Sequence, residues 1–200
     1  MILEKLIIDN FRQYLGRQEV VFASGRTRNV TLIHGETGFG KTCFINSLLW
    51  GFYGADGLTG DLPKPENIIP DSIRENCADP NAAVSSVRIV FKHSDQSYDL
   101  TRSITLAEER ASEGERTKVE LAIRRADGQS FISEGREAQK IIDQILPRDL
   151  RELVFFNGEN INELAMDKNA AKVREAVRGI MGLQLLDQTL EDLKSSGVRG

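Results

Sequence analysis

The sequence predicts an α/β fold of the P-loop NTPase class, and two features lead to that prediction. The first is a gapless match to the glycine-rich pattern G-x-x-x-x-G-K-[ST], which runs from Gly35 to Thr42. The second is a stretch of alternating apolar and polar residues between positions 87 and 123, which is typical of an antiparallel β meander. We therefore expect a strand, a phosphate loop and a helix that are joined to an antiparallel sheet.

The glycine-rich stretch has the chemistry of a nucleotide phosphate site. Glycines let the backbone curl until successive N–H groups point into one concavity, and the following helix aims its positive end at the same place. Lys41 can then reach the β- and γ-phosphates of a nucleoside triphosphate, and the Thr42 hydroxyl can bind Mg²⁺. The predicted phosphate-binding residues are Gly35, Glu36, Thr37, Gly38, Phe39, Gly40, Lys41, Thr42 and Cys43.

Apolar residues on both sides of the loop supply the expected context. Val30, Leu32 and Ile33 predict a buried strand before the loop, and residues 42–53 predict a helix with an apolar face after it. Upstream, residues 2–9 and 18–22 predict two strands that are separated by a turn. Cys43 falls in the first turn of the helix and is expected to be a small core residue.

The region after that helix predicts a long loop and then the meander. Glycines and prolines mark residues 54–82 as a loop, with a short helix possible at Asp71–Asn76. In the meander, a continuous apolar face on the second strand is expected to need a bulge near Arg102. The charged residues 108–116 predict an exposed loop. Arg124 and Arg125 are expected to be solvated, with contact to a phosphate backbone as the alternative.

The last third of the chain contains two helical patterns and one strand-like run. Glu137–Ile145 has apolar residues at helical spacing and ends before Pro147. Leu153–Phe156 is comparable to a strand and delivers a polar residue, Asn157, at its end. The final segment repeats leucine with 3-4-3 spacing, which fits either a coiled coil or a short core helix. These leucines are Leu183, Leu186, Leu190 and Leu193.

Composition excludes some classes of protein. The 200 residues are 40% hydrophobic and 28% charged, with a formal net charge of −4, which suits one acidic globular domain. No apolar run approaches the ~20 residues that span a bilayer, so we expect no membrane partner. Two isolated thiols, Cys43 and Cys77, suit a reducing cytoplasm. Any DNA contact must be a local patch, because a chain that grips nucleic acid over its whole surface is usually basic.

One expected part of the site is missing from the sequence. A complete P-loop ATPase needs a second carboxylate for Mg²⁺ and the attacking water, normally at the end of an apolar strand. No run of four apolar residues in this chain is followed by aspartate. The sequence thus contains a phosphate-binding half-site without the hydrolytic half.

This combination resembles the N-terminal half-head of SMC-like ATPases of the SbcC type. Three stretches carry the resemblance: residues 7–14 (IIDNFRQY), residues 33–42 (IHGETGFGKT) and residues 155–159 (FFNGE). Within that group they look most like the DndD family, the ATPases of DNA sulfur-modification (phosphorothioation) systems. The resemblance implies an ABC-class ATPase head half, with residues 1–182 in the head and residues 183–200 beginning a coiled-coil arm.

The resemblance also implies roles for individual residues. Lys41 and Thr42 would act on ATP and Mg²⁺, and Arg12 would reach the nucleotide phosphates. Asn157 stands where relatives have a glutamine that touches Mg²⁺ and the attacking water, which would make Lys41 and Asn157 the catalytic pair. Thr37 replaces the usual asparagine of the loop. Judged from the residues alone, Arg12 could be a surface arginine and Asn157 could close a turn.

The partners that the resemblance implies are the chain's own C-terminal half-head, a second head in a homodimer, DNA, and DNA-modification or nuclease subunits. In such heads two ATP molecules are held between two heads, so ATP drives dimerisation and hydrolysis opens the dimer. Two other functions stay open. A stand-alone phosphotransferase would need a catalytic carboxylate and would use residues 54–82 as a lid. A non-hydrolysing module would sense ATP by dimerising.

Overall fold

The computed structural model describes residues 1–58, 68–111 and 117–155. The chain divides into two compact units, Met1–Ile145 and Leu146–Gly200. Asn157, the boundary expected at 182/183 and the predicted coiled-coil leucines all lie outside the described residues.

The first unit contains a six-stranded sheet in which every neighbouring pair is antiparallel. The order across the sheet is β2-β1-β3-β4-β5-β6. The two strands predicted at the N-terminus and the predicted meander are therefore confirmed as parts of one sheet. The strands are β1 (Ile2–Phe11), β2 (Tyr14–Val21), β3 (Val84–His93), β4 (Gln96–Thr105), β5 (Lys118–Arg124) and β6 (Ser130–Glu134).

Four α-helices of the first unit are described. The predicted helix after the phosphate loop is confirmed and begins at Lys41, while the short helix at Asp71–Asn76 has the bounds that the sequence predicts. A 3₁₀ turn, Gly54–Gly57, follows the first helix. The helices are α1 (Lys41–Tyr53), α2 (Asp71–Asn76), α3 (Leu106–Arg110) and α4 (Gly135–Ile145).

Helix α1 packs closely on the inner face of the sheet. The ring centroids of Trp50 and Phe11 lie 5.5 Å apart, and those of Phe52 and Phe91 lie 5.6 Å apart. At Gly51 a Cβ atom would come within 2.6 Å of Ile89 Cδ1, so only glycine permits this approach. The packing fixes the axis of α1, and with it the place where the helix begins.

The bulge expected near Arg102 in β4 is absent. The β3–β4 register runs without a shift from Val84↔Thr105 to His93↔Gln96, so no bulge interrupts it. Arg102 instead points inward and is 4% exposed. Its Nε donates to the Gly51 carbonyl at 3.1 Å, at the C-terminal end of α1. No residue in the last turn of α1 is basic, so this arginine supplies the cation that the negative end of the helix favours.

The strand expected before the phosphate loop is absent. Residues 27–36 adopt no regular secondary structure, and none of the described strands pairs with them. Val30 is 80% exposed and Leu32 is 87% exposed, so the prediction of a buried strand is wrong for this chain. The apolar pattern is that of a strand, but a strand needs a hydrogen-bonded neighbour, and the part of the chain that the structure describes provides none.

Two further predictions are corrected. Residues 106–110 form α3, whereas the sequence pattern predicted an exposed loop from residue 108. Thr105 and Glu108 make a reciprocal capping box that begins this helix. In the second unit, α5 (Arg151–Val154) follows a 3₁₀ turn at Arg148–Leu150. The strand predicted over residues 153–156 is therefore wrong at residues 153–155, the three that the structure describes.

Candidate nucleotide-binding site

The glycine-rich loop forms a concave turn at the start of α1. Gly38 and Gly40 have φ angles of 89° and 93°, which is a left-handed conformation that glycine adopts without strain. Gly40 is the N-cap of α1, and no side chain caps the helix there. The first turn of α1 contains no acidic residue. The positive end of the helix is thus open to an external anion, as a phosphate site requires.

Lys41 folds back across this loop. Its Nζ donates to the Gly35 carbonyl at 2.6 Å and to the Glu36 carbonyl at 2.7 Å. The ammonium group therefore lies over the loop, where it can exchange these carbonyl partners for phosphate oxygens. This geometry fits the role that the sequence predicts for Lys41.

The remaining loop residues separate into exposed and buried ones. Thr42 and Phe39 are exposed, so the Thr42 hydroxyl is accessible to a ligand. Cys43 is 6% exposed, and its Sγ lies 4.0 Å from the Phe11 carbonyl oxygen. Burial raises the pKa of the Cys43 thiol, which keeps it protonated. Cys43 is the core residue that we expected, and toward a phosphate it can offer only its backbone N–H.

The turn between β1 and β2 braces the loop from one side. The Tyr14 hydroxyl donates to the Gly40 carbonyl at 3.0 Å, and burial raises the pKa of this phenol, which keeps the donor proton in place. A Cβ atom at Gly40 would lie 2.3 Å from Gln13 Nε2. Gly40 is therefore required by its φ angle, whereas the exposed Gln13 side chain can move aside.

Arg12 lies in the same turn, next to Gln13, and its predicted contact with the nucleotide phosphates stays a prediction. Its φ angle is 53°, which is unusual for a residue with a side chain. Its backbone N–H donates to the Ile68 carbonyl at 2.6 Å.

Asn10 belongs to the stretch that carries the resemblance, but no role in the site was predicted for it. It also has a positive φ, 50°, and its Oδ1 accepts a hydrogen bond from the Gly16 N–H at 2.8 Å. Its Nδ2 donates to the Val84 carbonyl at 3.3 Å on the neighbouring strand. The asparagine thus closes the β1–β2 turn and ties it to β3. Asparagine before a glycine-containing turn is the signal that could have found it.

The described residues fit the phosphates of a nucleotide. Of the two predicted Mg²⁺ ligands, they include only Thr42. Mg²⁺ prefers oxygen ligands, and the accessible Thr42 hydroxyl at the start of α1 can provide one beside the phosphates. Within residues 1–58, 68–111 and 117–155, no three His, Cys, Asp or Glu side chains cluster to hold a metal ion. Asn157, the other predicted metal ligand, falls outside these ranges. When bound, Mg²⁺ would neutralise charge on the phosphates.

Arg124 and Arg125, for which contact with a nucleic-acid backbone was the alternative prediction, lie at the C-terminal end of β5. Arg124 is exposed, and the Arg125 guanidinium lies 5.1 Å from the centroid of the Phe131 ring. They are solvated strand-end residues, as the sequence predicts, and nothing in the described geometry brings them to the phosphate loop.

Comparison with known proteins identifies both a family and a fold. The AAA domain family model AAA_23 matches residues 5–196. A search of curated proteins finds no match. A solved structure from a study of the structural biochemistry of ATP-driven dimerization and DNA stimulated activation of SMC ATPases matches with a TM-score of 0.50 and 19% identity. The match covers 90% of this chain and 99% of that one.

The structural match confirms the expected fold class. An antiparallel sheet with a phosphate loop and packed helices is the α/β arrangement of an SMC ATPase head. Of the helices that the structure describes, none has the length and apolar character needed to cross a membrane.

Proposed function

Since this chain belongs to the AAA domain family, we propose that it is the ATP-binding N-terminal half of an SMC-like ATPase head. The observation that carries the proposal is the uncapped, acid-free start of α1 with the Lys41 ammonium held over the loop. ATP with Mg²⁺ is the ligand that this arrangement fits, because a triphosphate supplies the charge that the lysine and the helix end attract. Residues 35–43 and Arg12 form its binding surface.

The exposed segment before the loop supports a partner that completes the head. Val30 and Leu32 place apolar side chains in water, and the backbone between Asn29 and His34 has no partner among the described strands. A parallel neighbour would satisfy the backbone, and a carboxylate at the end of such a strand would complete the Mg²⁺ site. We assign both to a C-terminal half-head, with Asn157 as a second polar ligand.

The complete assembly is proposed to be a homodimer of heads in which ATP binding closes the dimer and hydrolysis opens it. Its substrate is DNA, and its setting is the cytoplasm. Within that class we favour DNA sulfur modification of the DndD type, on the strength of the Asn10-Phe11-Arg12 turn and residues 155–159. DNA repair or defence with nuclease subunits uses the same head.

A stand-alone phosphotransferase accounts less well for the structure. Such an enzyme carries its own catalytic carboxylate, whereas the first turn of α1 contains no acidic residue and no three His, Cys, Asp or Glu side chains cluster among the described residues. It would also bury the strand before its phosphate loop, whereas Leu32 is 87% exposed. An ATP sensor without hydrolysis needs only the half-site and is distinguished by turnover.

The nucleotide site is tested by Lys41→Ala with Lys140→Ala as the matched control. Lys140 is an exposed lysine on α4 that pairs with Glu137, so its removal subtracts the same charge away from the loop. We expect Lys41→Ala to abolish calorimetric ATP binding and Lys140→Ala to leave it unchanged. Equal ATP affinity in the wild type and in Lys41→Ala would overturn the assignment.

Turnover separates a half-head from a complete enzyme. We expect these 200 residues alone to hydrolyse ATP negligibly, and a mixture with the C-terminal half-head to turn over. Steady hydrolysis by the chain alone, lost in Lys41→Ala, would show a complete site. No turnover in the reconstituted head would favour the ATP sensor.

A further inference from the structure

Glu109 is a buried carboxylate that the nucleotide site does not contact directly. Its side chain is 3% exposed. Its Oε1 accepts hydrogen bonds from the Ile68 N–H at 2.7 Å and from the Ile69 N–H at 3.1 Å. Its Oε2 forms an ion pair with Arg74 of α2. One carboxylate thereby fixes a segment that precedes α2 and the helix itself.

The segment held by Glu109 is the one that holds Arg12. Ile68 donates its N–H to Glu109 and, through its carbonyl, accepts the Arg12 N–H at 2.6 Å. The Ile68 and Ile69 side chains are 0% and 1% exposed, so this segment is anchored on both its polar and its apolar groups. Ile68 therefore links the buried carboxylate to the turn at Arg12.

The turn at Arg12 needs such an anchor. A non-glycine residue in the left-handed region is under strain and persists only where the surroundings hold it. Arg12 has this conformation at φ 53°, and the residue two positions on, Tyr14, contacts the phosphate loop through the Gly40 carbonyl. A change in the Arg12 backbone would redirect its side chain relative to the loop.

We propose that Glu109 is a positioning residue for nucleotide binding: through Ile68 it fixes the left-handed turn that directs Arg12 to the phosphates. The proposal rests on the function proposed above, in which Arg12 contacts ATP. Without Glu109 the two N–H groups and Arg74 lose a buried acceptor, which is costly enough for the segment to rearrange. The Arg12 turn then relaxes toward a commoner backbone conformation, and the contact with the phosphates weakens.

The test is a double-mutant cycle on ATP affinity, measured by calorimetry on the full chain. We expect Arg12→Ala to weaken ATP binding about tenfold and Glu109→Ala about fivefold. The double variant should bind ATP as Arg12→Ala does, because Glu109 has nothing left to position. Glu75→Ala is the control: Glu75 is an exposed acid on α2, next to Arg74, and its removal should change ATP affinity less than twofold.

Two other variants guard against a simple loss of structure. Glu109→Gln keeps an oxygen acceptor for Ile68 and Ile69, so it should recover most of the affinity lost in Glu109→Ala. Arg74→Met keeps the carboxylate and removes its cation, and should weaken ATP binding about twofold to threefold. The melting temperature of each variant shows whether weaker ATP binding comes from unfolding or from repositioning. If Glu109→Ala does not fold, Glu109→Gln and Arg74→Met are each combined with Arg12→Ala in a double-mutant cycle.

The outcomes distinguish the two proposals. If Arg12→Ala binds ATP normally while Lys41→Ala does not, the Arg12 contact is wrong and the positioning role falls with it. If Arg12→Ala weakens binding but the losses in the double variant multiply to about fiftyfold, the phosphate contact stands and Glu109 does not act through Arg12. Unchanged ATP affinity in a folded Glu109→Ala would likewise overturn the positioning role.

Discussion

The meander and the segment before the phosphate loop have similar apolar patterns but opposite environments. In β3, Ile89 and Phe91 are fully buried, whereas Val30 and Leu32 are 80% and 87% exposed. The difference lies in where the hydrogen-bonded partner comes from. Strands β3 and β4 are joined by two residues, Ser94 and Asp95, and pair along their whole length. The segment at residues 29–34 has no neighbour of this kind among the described strands.

The contrast shows that an apolar pattern predicts which residues favour burial, but not which part of the structure covers them. An antiparallel hairpin finds its partner within a few residues, so β3, β4 and β5 can complete one another locally. A strand in front of a phosphate loop commonly pairs with parallel neighbours, which need long crossover connections. The comparison therefore divides the described part of the chain into strands that pair with one another and a segment, residues 29–34, that pairs with none of them.

A matched pair of leucine truncations tests this division with the largest expected effect. Leu100 is 0% exposed in β4, and Leu32 is 87% exposed before the loop. We expect Leu100→Ala to lower the free energy of unfolding by about 2–5 kcal/mol and Leu32→Ala by less than about 0.5 kcal/mol. Urea denaturation of both variants measures it. Similar losses would mean that Leu32 is buried in solution and that the comparison is mistaken.

The second expected effect concerns the buried cation that joins the sheet to α1. Arg102→Met keeps most of the side-chain volume but removes the donors to the Gly51 and Thr117 oxygens. We expect a loss of about 1–3 kcal/mol in the free energy of unfolding. Arg124→Met, at an exposed position on β5, is the control and should change stability by less than about 0.5 kcal/mol. Equal effects would remove the link between β4 and the end of α1.

The smallest expected effect lies where β2 of the sheet contacts the phosphate loop. Tyr14→Phe removes the hydroxyl that donates to the Gly40 carbonyl and keeps the ring. We expect a loss of about 0.5–1.5 kcal/mol in the free energy of unfolding, together with ATP affinity weakened about threefold. Calorimetry and urea denaturation measure the two changes. Tighter ATP binding in the variant would show that the sheet restrains the loop instead of supporting it.

The sequence predicts the local parts of this structure well. The phosphate loop follows from glycine spacing, and α2 has the predicted bounds. Each of these elements is decided by residues within a few positions of one another. Cys43 is buried as its place in the first turn of α1 predicts, whereas the backbone of Arg12 is held by the distant Ile68 carbonyl.

The residues that escaped prediction depend on distant contacts. Arg102 is buried because the end of α1, about fifty positions away, supplies carbonyl acceptors. Glu109 is buried because Ile68, Ile69 and Arg74 present donors to it, although a charged run alone indicates solvent. The local sequence signal for α3 is the capping box that Thr105 and Glu108 form. The spacing of apolar residues gives no information about hydrogen-bond partners that are distant in the sequence.

Hydrogen exchange of backbone amides is the most direct test of the central claim. That claim is that the chain carries a phosphate-binding half-site and that the segment before the loop, residues 29–34, pairs with none of the described strands. In the isolated chain, we expect amides at residues 30–33 to exchange at nearly the rate of an unstructured peptide. Amides at residues 87–91 should exchange at least about a thousandfold more slowly. Adding the C-terminal half-head with ATP should then protect residues 30–33. Protection of residues 30–33 in the isolated chain, equal to that of residues 87–91, would contradict the account.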